Sequence, residues 1–388
     1  MEIGAKRAYL AAVKERYKKS SKKQKTQILN EYCSNCNYNR KHAIKLLSKK
    51  SGPRTYSKRV GAPRKYSEAV SKKLGELWVI MGNPCSTTLK EALPHWLPYD
   101  LDCDEKIKKN LLEMGSSTIE RHLKPLKNKS LKGKSTTTPP KMKVQIPLEL
   151  LRDDQRETIG YFEADTVAHC GESLSGQFAW SLTMTDVCTG WTENRASFSK
   201  SSEAVMKQMK DIENSLPFKI MGVASDNGSE FMNENVYGFL ASREEDPISF
   251  VRRRPYKKND NAHVEQKNFT HVRNIFGYER LADEYVVNLM NDIYKNYWCP
   301  LKNFYTPAMK LKKKIRIGAK VKKEYDKAKT PYQRLMESGQ LTLKQQADLA
   351  NKKSKLNPFK LRKEMDEKLN RFYTFVDNYR KAANNVAA

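Results

Sequence analysis

The chain has 388 residues, enough for two or three domains and at least one large core. Its 73 Lys and Arg exceed its 44 Asp and Glu by a net charge of +29, a surplus that repels itself unless a polyanion is near, and nucleic acid leads that class. Apolar stretches such as LWVIM (77–81) are too short to span a membrane, the opening MEIGAKRAYLAAVKERYKK lacks a signal peptide's apolar core, and 7 cysteines make no disulfide framework, so a soluble intracellular protein is expected.

Residues 1–56 read as a helix-turn-helix module. KKQKTQILNEY leads into the polar turn CSNCNYN, and RKHAIKLLSKK follows with Ala43, Ile44 and Leu47 inward and Arg40, Lys41 and Lys45 outward. A small bundle with a solvated basic face fits the same pattern. Cys33 and Cys36 form half of a zinc pattern, with no second pair to complete it. Residues 57–65 are a basic linker, whose GAPRK segment gives Arg64 and Lys65 the character of a minor-groove arm. Residues 66–128 form a second helix-turn-helix module. There Ser117 and Glu120 have the spacing of a capping box, with Ile119 and Leu123 inward and Arg121 and Lys124 outward. Two such modules favour duplex DNA over RNA.

A polar, Pro-containing linker spans 129–157, and between 158 and 305 the texture changes. TIGYFEADTVAHC, QFAWSLTMTDV, WTENRASFS and FKIMGVASDNG read as strands, and SSEAVMKQMKDIENSL as a helix between the third and fourth. A mixed α/β sheet is expected. Residues 306–388 are basic again and end in a long helix opened by Asn357 and Pro358. Its stripe of Leu361, Met365, Leu369, Phe372 and Val376 is expected to pack within the chain.

Three acids stand in costly places. A helix starting near Asn259 would turn Ala262, Glu265, Phe269, Val272 and Phe276 inward, so Glu265 occupies a position meant for Leu or Met. Asp165 lies in the middle of a predicted strand, and Asp226 closes another, where α/β sheets place their chemistry. Singly, each reads as a cap or an ion pair. Together they would repel unless they share a cation, and hard oxygen ligands suit Mg²⁺ or Mn²⁺. Two such ions stabilise both oxygens of an in-line phosphoryl displacement. Beside them, His169 and Cys170 read as packing or DNA-facing, Asp186 as structural, and Glu230 as a minor candidate for the acidic patch. Lys258, Asn261 and Lys267 flank Glu265 on other helix faces, within reach of phosphate.

ADTVAHCG, SDNGSEF and KNDNAHVEQKN, in that order, resemble the signature segments of insertion-sequence transposases with a retroviral-integrase-like core. TDVCTGWTE and GAKVKKEYDKAKTPYQRL also look like their counterparts in these bacterial enzymes. The resemblance covers nearly the whole chain and is strongest from 160 to 280. It implies a multidomain protein: all-α helix-turn-helix modules, an RNase H-like α/β catalytic domain over 158–305, and a basic, largely helical C-terminal region. It further implies Asp165, Asp226 and Glu265 as a DDE triad holding Mg²⁺ or Mn²⁺, two ions in all. The implied activity is cleavage of duplex DNA at element ends and transfer of the 3′-OH, by a homo-oligomer in the bacterial cytoplasm at the nucleoid. The His-His-Cys-Cys zinc module of retroviral integrases has no counterpart here. The rival readings are a same-fold nuclease without joining, and a transposase-derived DNA-binding regulator with a silent core.

Overall fold

The computed structural model describes residues 2–48, 65–127, 153–225, 228, 230–231, 234–241, 247–252, 262–317 and 320–387. The chain divides into two compact units, residues 1–65 and 66–388. In the first, α1 (Ile3–Lys19), α2 (Lys22–Cys36) and α3 (Arg40–Ser48) enclose Val13, Ile28, Leu29, Tyr32, Ala43 and Leu47. Asn37 takes the left-handed conformation (φ 54°) that ends α2, and Asn39 Oδ1 accepts the His42 N–H at 2.8 Å to start α3. Ala43 and Leu47 point inward, but Ile44, expected to join them, is 40% exposed because the buried row follows i, i+4. Cys36 is wholly buried in this core.

The second unit opens with α4 (Glu68–Ile80), α5 (Ser86–Trp96), α6 (Glu105–Glu113) and α7 (Ser116–Leu123). Ser67 and Asp104 cap α4 and α6 through side-chain oxygens. Ile119 and Leu123 are buried as expected, but α7 starts at Ser116 after Gly115, so Ser117 lies inside the helix and makes no cap. Glu120 instead pairs with Lys127 at 2.6 Å. These helices share a core with the domain that follows: Trp96 Nε1 donates to the Tyr305 carbonyl at 3.0 Å, and its ring meets Phe359 edge-on.

After the short α8 (Asp153–Glu157) come β1 (Tyr161–Ala168), β2 (Trp180–Asp186), β3 (Thr192–Ser197), α9 (Ser202–Ser215), β4 (Gly222–Ser225), α10 (Glu234–Ala241) and β5 (Ser249–Arg252). The strands form one sheet in the order β3-β2-β1-β4-β5. The pairs β1–β2 and β2–β3 are antiparallel, while β1–β4 and β4–β5 are parallel. The sheet is mixed and surrounded by helices, as the sequence led us to expect. The strand β5, SFVR, is additional to the sequence reading.

Period-two alternation gives the sheet two unlike faces. Phe162, Ala164, Leu182, Met184 and Val223 join Val205, Met209 and Ile212 of α9 in an apolar core. The opposite face carries Glu163, Asp165, Ser181, Thr183, Thr185 and Asn194. It is covered by α11 (Ala262–Lys267), which continues through a π-helical turn (268–273) into α12 (Asn274–Phe276). Beyond lie α13 (Glu284–Ile293), a second π-helical segment (294–298) and α14 (Cys299–Tyr305).

The expected inward row along 262–276 is broken by the π-helical turn. With its wider pitch, Phe269 swings out to 55% exposure, and among the described residues Val264, His271, Val272, Ile275 and Phe276 are buried. The C-terminal part contains an antiparallel ribbon, β6 (Leu311–Ile317) with β7 (Lys320–Tyr325), which the sequence reading had not resolved from its basic surroundings. Helices α15 (Pro331–Glu337), α16 (Leu343–Ser354) and α17 (Pro358–Ala387) follow. Asn357 Oδ1 accepts the N–H of Phe359 and Lys360, so the expected start holds. Leu361, Met365, Phe372 and Val376 are buried within the chain. Phe372 meets Phe276 with centroids 4.9 Å apart, and the Tyr373 hydroxyl donates to the Ile275 carbonyl. No helix among the described residues is long and apolar enough to cross a membrane.

Candidate active site

Asp165 sits midway along the central strand β1, half-buried, with Thr183 opposite it on β2. One of its oxygens accepts the Thr166 N–H at 2.8 Å, and the other accepts the Asn268 side-chain amide at 2.6 Å. Two residues earlier, on the same face, Glu163 is only 2% exposed and accepts the backbone N–H of Val264 at 3.1 Å. A carboxylate at a helix's first turn satisfies a donor that the helix leaves open. β1 therefore grips this helical segment at two points, Val264 in α11 and Asn268 in the π-helical turn, and Glu265 lies on the backbone between them, although its side chain is outside the described residues.

Asp226, Arg64, Lys258 and Asn261 also lie outside the described residues. β4 ends at Ser225, which pairs with Ala164, the neighbour of Asp165 on β1. Just beyond, Glu230 is buried, accepts the Thr166 hydroxyl at 2.6 Å and pairs with Lys200 at 3.0 Å. Thr166 and Asp165 are neighbours on a strand, so the hydroxyl that holds Glu230 leaves β1 on the face opposite the Asp165 carboxylate. Gly228 stacks on Glu230: a Cβ there would meet Oε2 at 2.5 Å.

His169 is a core residue. Its Nε2 meets Ser181 Oγ at 2.9 Å, that hydroxyl meets the Tyr294 hydroxyl at 3.0 Å, and burial pushes the imidazole down to about 3. Asp186 is fully buried at the end of β2, where Gly160 N–H (2.9 Å) and Thr189 N–H (2.7 Å) donate to it, and burial raises its carboxyl to about 6. Lys267 is half-buried, with Arg334 and His271 in its surroundings, and desolvation pulls its ammonium down to about 8. Arg40, Lys41 and Lys45 are exposed on α3, where Arg40 donates to Asn30. Lys65, Arg121 and Lys124 are exposed as well.

Among the described residues, no three His, Cys, Asp or Glu side chains gather as a metal-holding group. The donors beside Asp165 nevertheless fit a hard cation. Asn268 Oδ1 is buried and has no hydrogen-bond partner among the described residues, next to a carboxylate oxygen. Neither Asn268 nor Glu163 is reached by the sequence reading. The i, i+2 pair of acids in EAD was the available signal for Glu163, while Asn268 depends on the π-helical turn.

An uncharacterized protein, y4rM, from Sinorhizobium fredii (strain NBRC 101917 / NGR234) is 32% identical over 324 residues, covering 81% of this chain and 90% of its own. The chain belongs to the y4rM family. No family model matches it. Among solved structures, the catalytic core domain of BIV integrase aligns with 28% of this chain at 13% identity and a TM-score of 0.23. A chain from a simian T-cell lymphotropic virus intasome complex aligns with 46% of it at 13% identity and a TM-score of 0.25. The alignments take in 64% and 57% of those chains, less than two thirds of either.

Proposed function

We propose that the chain is a DDE-type DNA transposase: a metal-dependent polynucleotidyl transferase with an RNase H-like domain. In this reading it cleaves duplex DNA at the ends of a mobile element and joins the freed 3′-OH to target DNA, working as a homo-oligomer. One observation carries the reading. Asp165 stands mid-strand at the centre of the sheet, bonded by Asn268 from the same helical segment as Glu265, while β4 pairs through Ser225 with Ala164, the residue before Asp165. An acid in that position is disfavoured unless a partner offsets its burial.

Asp165, Asp226 and Glu265 would hold Mg²⁺ or Mn²⁺, two ions in all. When bound, such ions stabilise charge on the phosphoryl oxygens and make water nucleophilic at neutral pH. The remaining work falls to the chain itself. Asn268 fixes the Asp165 carboxylate, and Glu163 holds the first turn of α11 in place. Thr166 and Lys200 hold Glu230 against Gly228. Arg40, Lys41, Lys45, Arg121 and Lys124, on helices that follow short turns, are disposed for phosphate and groove contacts, with Arg64, Lys65, Lys258 and Asn261 as further contacts.

The test incubates the full chain with labelled duplex carrying the DNA that flanks its own gene, with Mg²⁺, Mn²⁺ or EDTA, alongside Asp226→Asn. Metal-dependent nicking followed by strand joining, lost in the variant, is the expected result. Nicking without joining would reassign the chain as a nuclease. Binding without cleavage under every condition would reassign it as a silent regulator.

A further inference from the structure

We propose that the β6–β7 ribbon is a duplex-DNA-binding arm, seated in a groove so that cations on both of its faces meet phosphate. Between Leu311 and Tyr325 the sequence places seven Lys and Arg against Glu324 alone. Register and alternation set Lys313 and Lys322 on one face, and Arg316 and Lys323 on the other. All four are exposed, as are Val321 (54%) and Tyr325 (50%). A strand pair with cations on both faces can bury neither face in a protein core.

The ordinary explanation for lysine on a ribbon is protection against edge-to-edge aggregation. That purpose needs a charge or two, and a two-stranded ribbon is already marginal in water. This one adds to that weakness the mutual repulsion of four exposed cations, Lys313, Arg316, Lys322 and Lys323, relieved only in part by Glu324 opposite Lys313. A polyanion removes that cost. The dimensions agree: seven residues extend about 23 Å, and a two-stranded ribbon fits the roughly 12 Å major groove of B-DNA with phosphates on either side.

The root of the ribbon is fixed. Lys310 Nζ donates to the carbonyls of Val187 (2.9 Å) and Cys188 (2.6 Å), just past the end of β2. Lys310 N–H donates to Asp326 at 2.6 Å, which also pairs with Arg334. Val187 lies four residues along from Thr183, the partner of Asp165, so the root stands about 13 Å along the sheet from the candidate site. DNA held by the ribbon would thus be held at a set distance from Asp165.

The choice of DNA as the polyanion rests on the transposase reading, so the test measures binding alone, in EDTA, on a 40-base-pair duplex of arbitrary sequence. The full chain is compared with a Lys312, Lys313, Lys322, Lys323→Gln variant, with the same four positions changed to Arg, and with Lys344, Lys352, Lys355, Lys363→Gln, exposed positions on α16, on α17 and between them. The ribbon variant should bind at least about 30-fold more weakly near 150 mM salt, with the log–log salt slope reduced by about 2–4. The Arg variant should restore both, and the α16–α17 variant should stay within about threefold of the unaltered chain. Unchanged affinity and slope in the ribbon variant, or an equal loss in the α16–α17 variant, would overturn the proposal. So would a ribbon variant that loses binding to phosphatidylserine vesicles while keeping its hold on DNA. Loss of duplex binding in a chain that never cleaves would leave the ribbon standing and the transposase reading fallen.

Discussion

The two faces of the central sheet come from the same strands and bury comparable side chains, yet they solve opposite problems. Phe162, Ala164, Leu182, Met184 and Val223 meet α9 with nothing polar to satisfy, and at roughly 25 cal/mol per Å² such a face holds the domain together. The other face keeps Glu163, Asp165, Ser181, Thr183, Thr185 and Asn194 under the cover of two π-helical segments, and each polar group there must be bonded. Asn194 donates to Thr183 at 2.9 Å, and the Thr185 and Thr192 hydroxyls meet at 3.2 Å. Replacing such groups with well-packed aliphatic residues is often neutral or stabilising, so stability alone does not explain them. Asp186 shows the cost of an acid on the apolar side. It stands opposite Phe162, and even with backbone donors its carboxyl is raised to about 6.

The contrast can be broken in four places. Asp165→Asn should lower metal-dependent nicking by at least about a thousandfold, or about 4 kcal/mol, while leaving the thermal transition nearly unmoved. Nicking near the unaltered level would remove the polar face from the chemistry. Phe162→Ala should cost about 3–5 kcal/mol in denaturant unfolding of the second unit, and a loss below about 1 kcal/mol would mean that the apolar face does not carry the fold. Asp186 supplies a pH signature. Its folded pKa is raised, so its stabilising contribution is complete below the ordinary carboxylate value and is lost as pH rises through about 6. Relative to Asp186→Asn, the unaltered chain should therefore lose up to about 3 kcal/mol between pH 4 and 7, and a flat difference would show the carboxyl to be unshifted. The smallest effect belongs to Thr183→Val, at about 1–2 kcal/mol, because it strands the Asn194 amide. Adding Asn194→Leu should recover most of that loss, and a purely additive double variant would contradict the pairing.

Strands β1 to β4 and α9 were legible because alternation and capping residues are local signals. β5 was not, since four residues between chain segments of other character give alternation too little length. The β6–β7 ribbon was hidden by its lysines, which carry low strand propensity and read as a basic segment. The row through Glu265 was read with a 3.6-residue period, and the π-helical turn changes that period partway along, exposing Phe269 and delivering Asn268 to Asp165. Asp165, Asp226 and Glu265 stood out in the sequence because mid-strand, strand-end and helix-face positions are themselves sequence features. Their supporting residues, Glu163, Asn268 and Lys200, depend on which side chains the fold brings together.

The contact of Phe372 and Tyr373 with Phe276 and Ile275 bears on the order in which a growing chain matures. While the ribosome is still adding residues beyond Tyr305, the five strands of the sheet have all been made, and Tyr294 and Trp298 already back Phe276 and His271. The last brace, Phe372 and Tyr373, arrives only with α17. A message cut short, or a chain clipped before residue 358, would therefore leave Ile275 and Phe276, at the end of the segment that holds Asn268, without that backing.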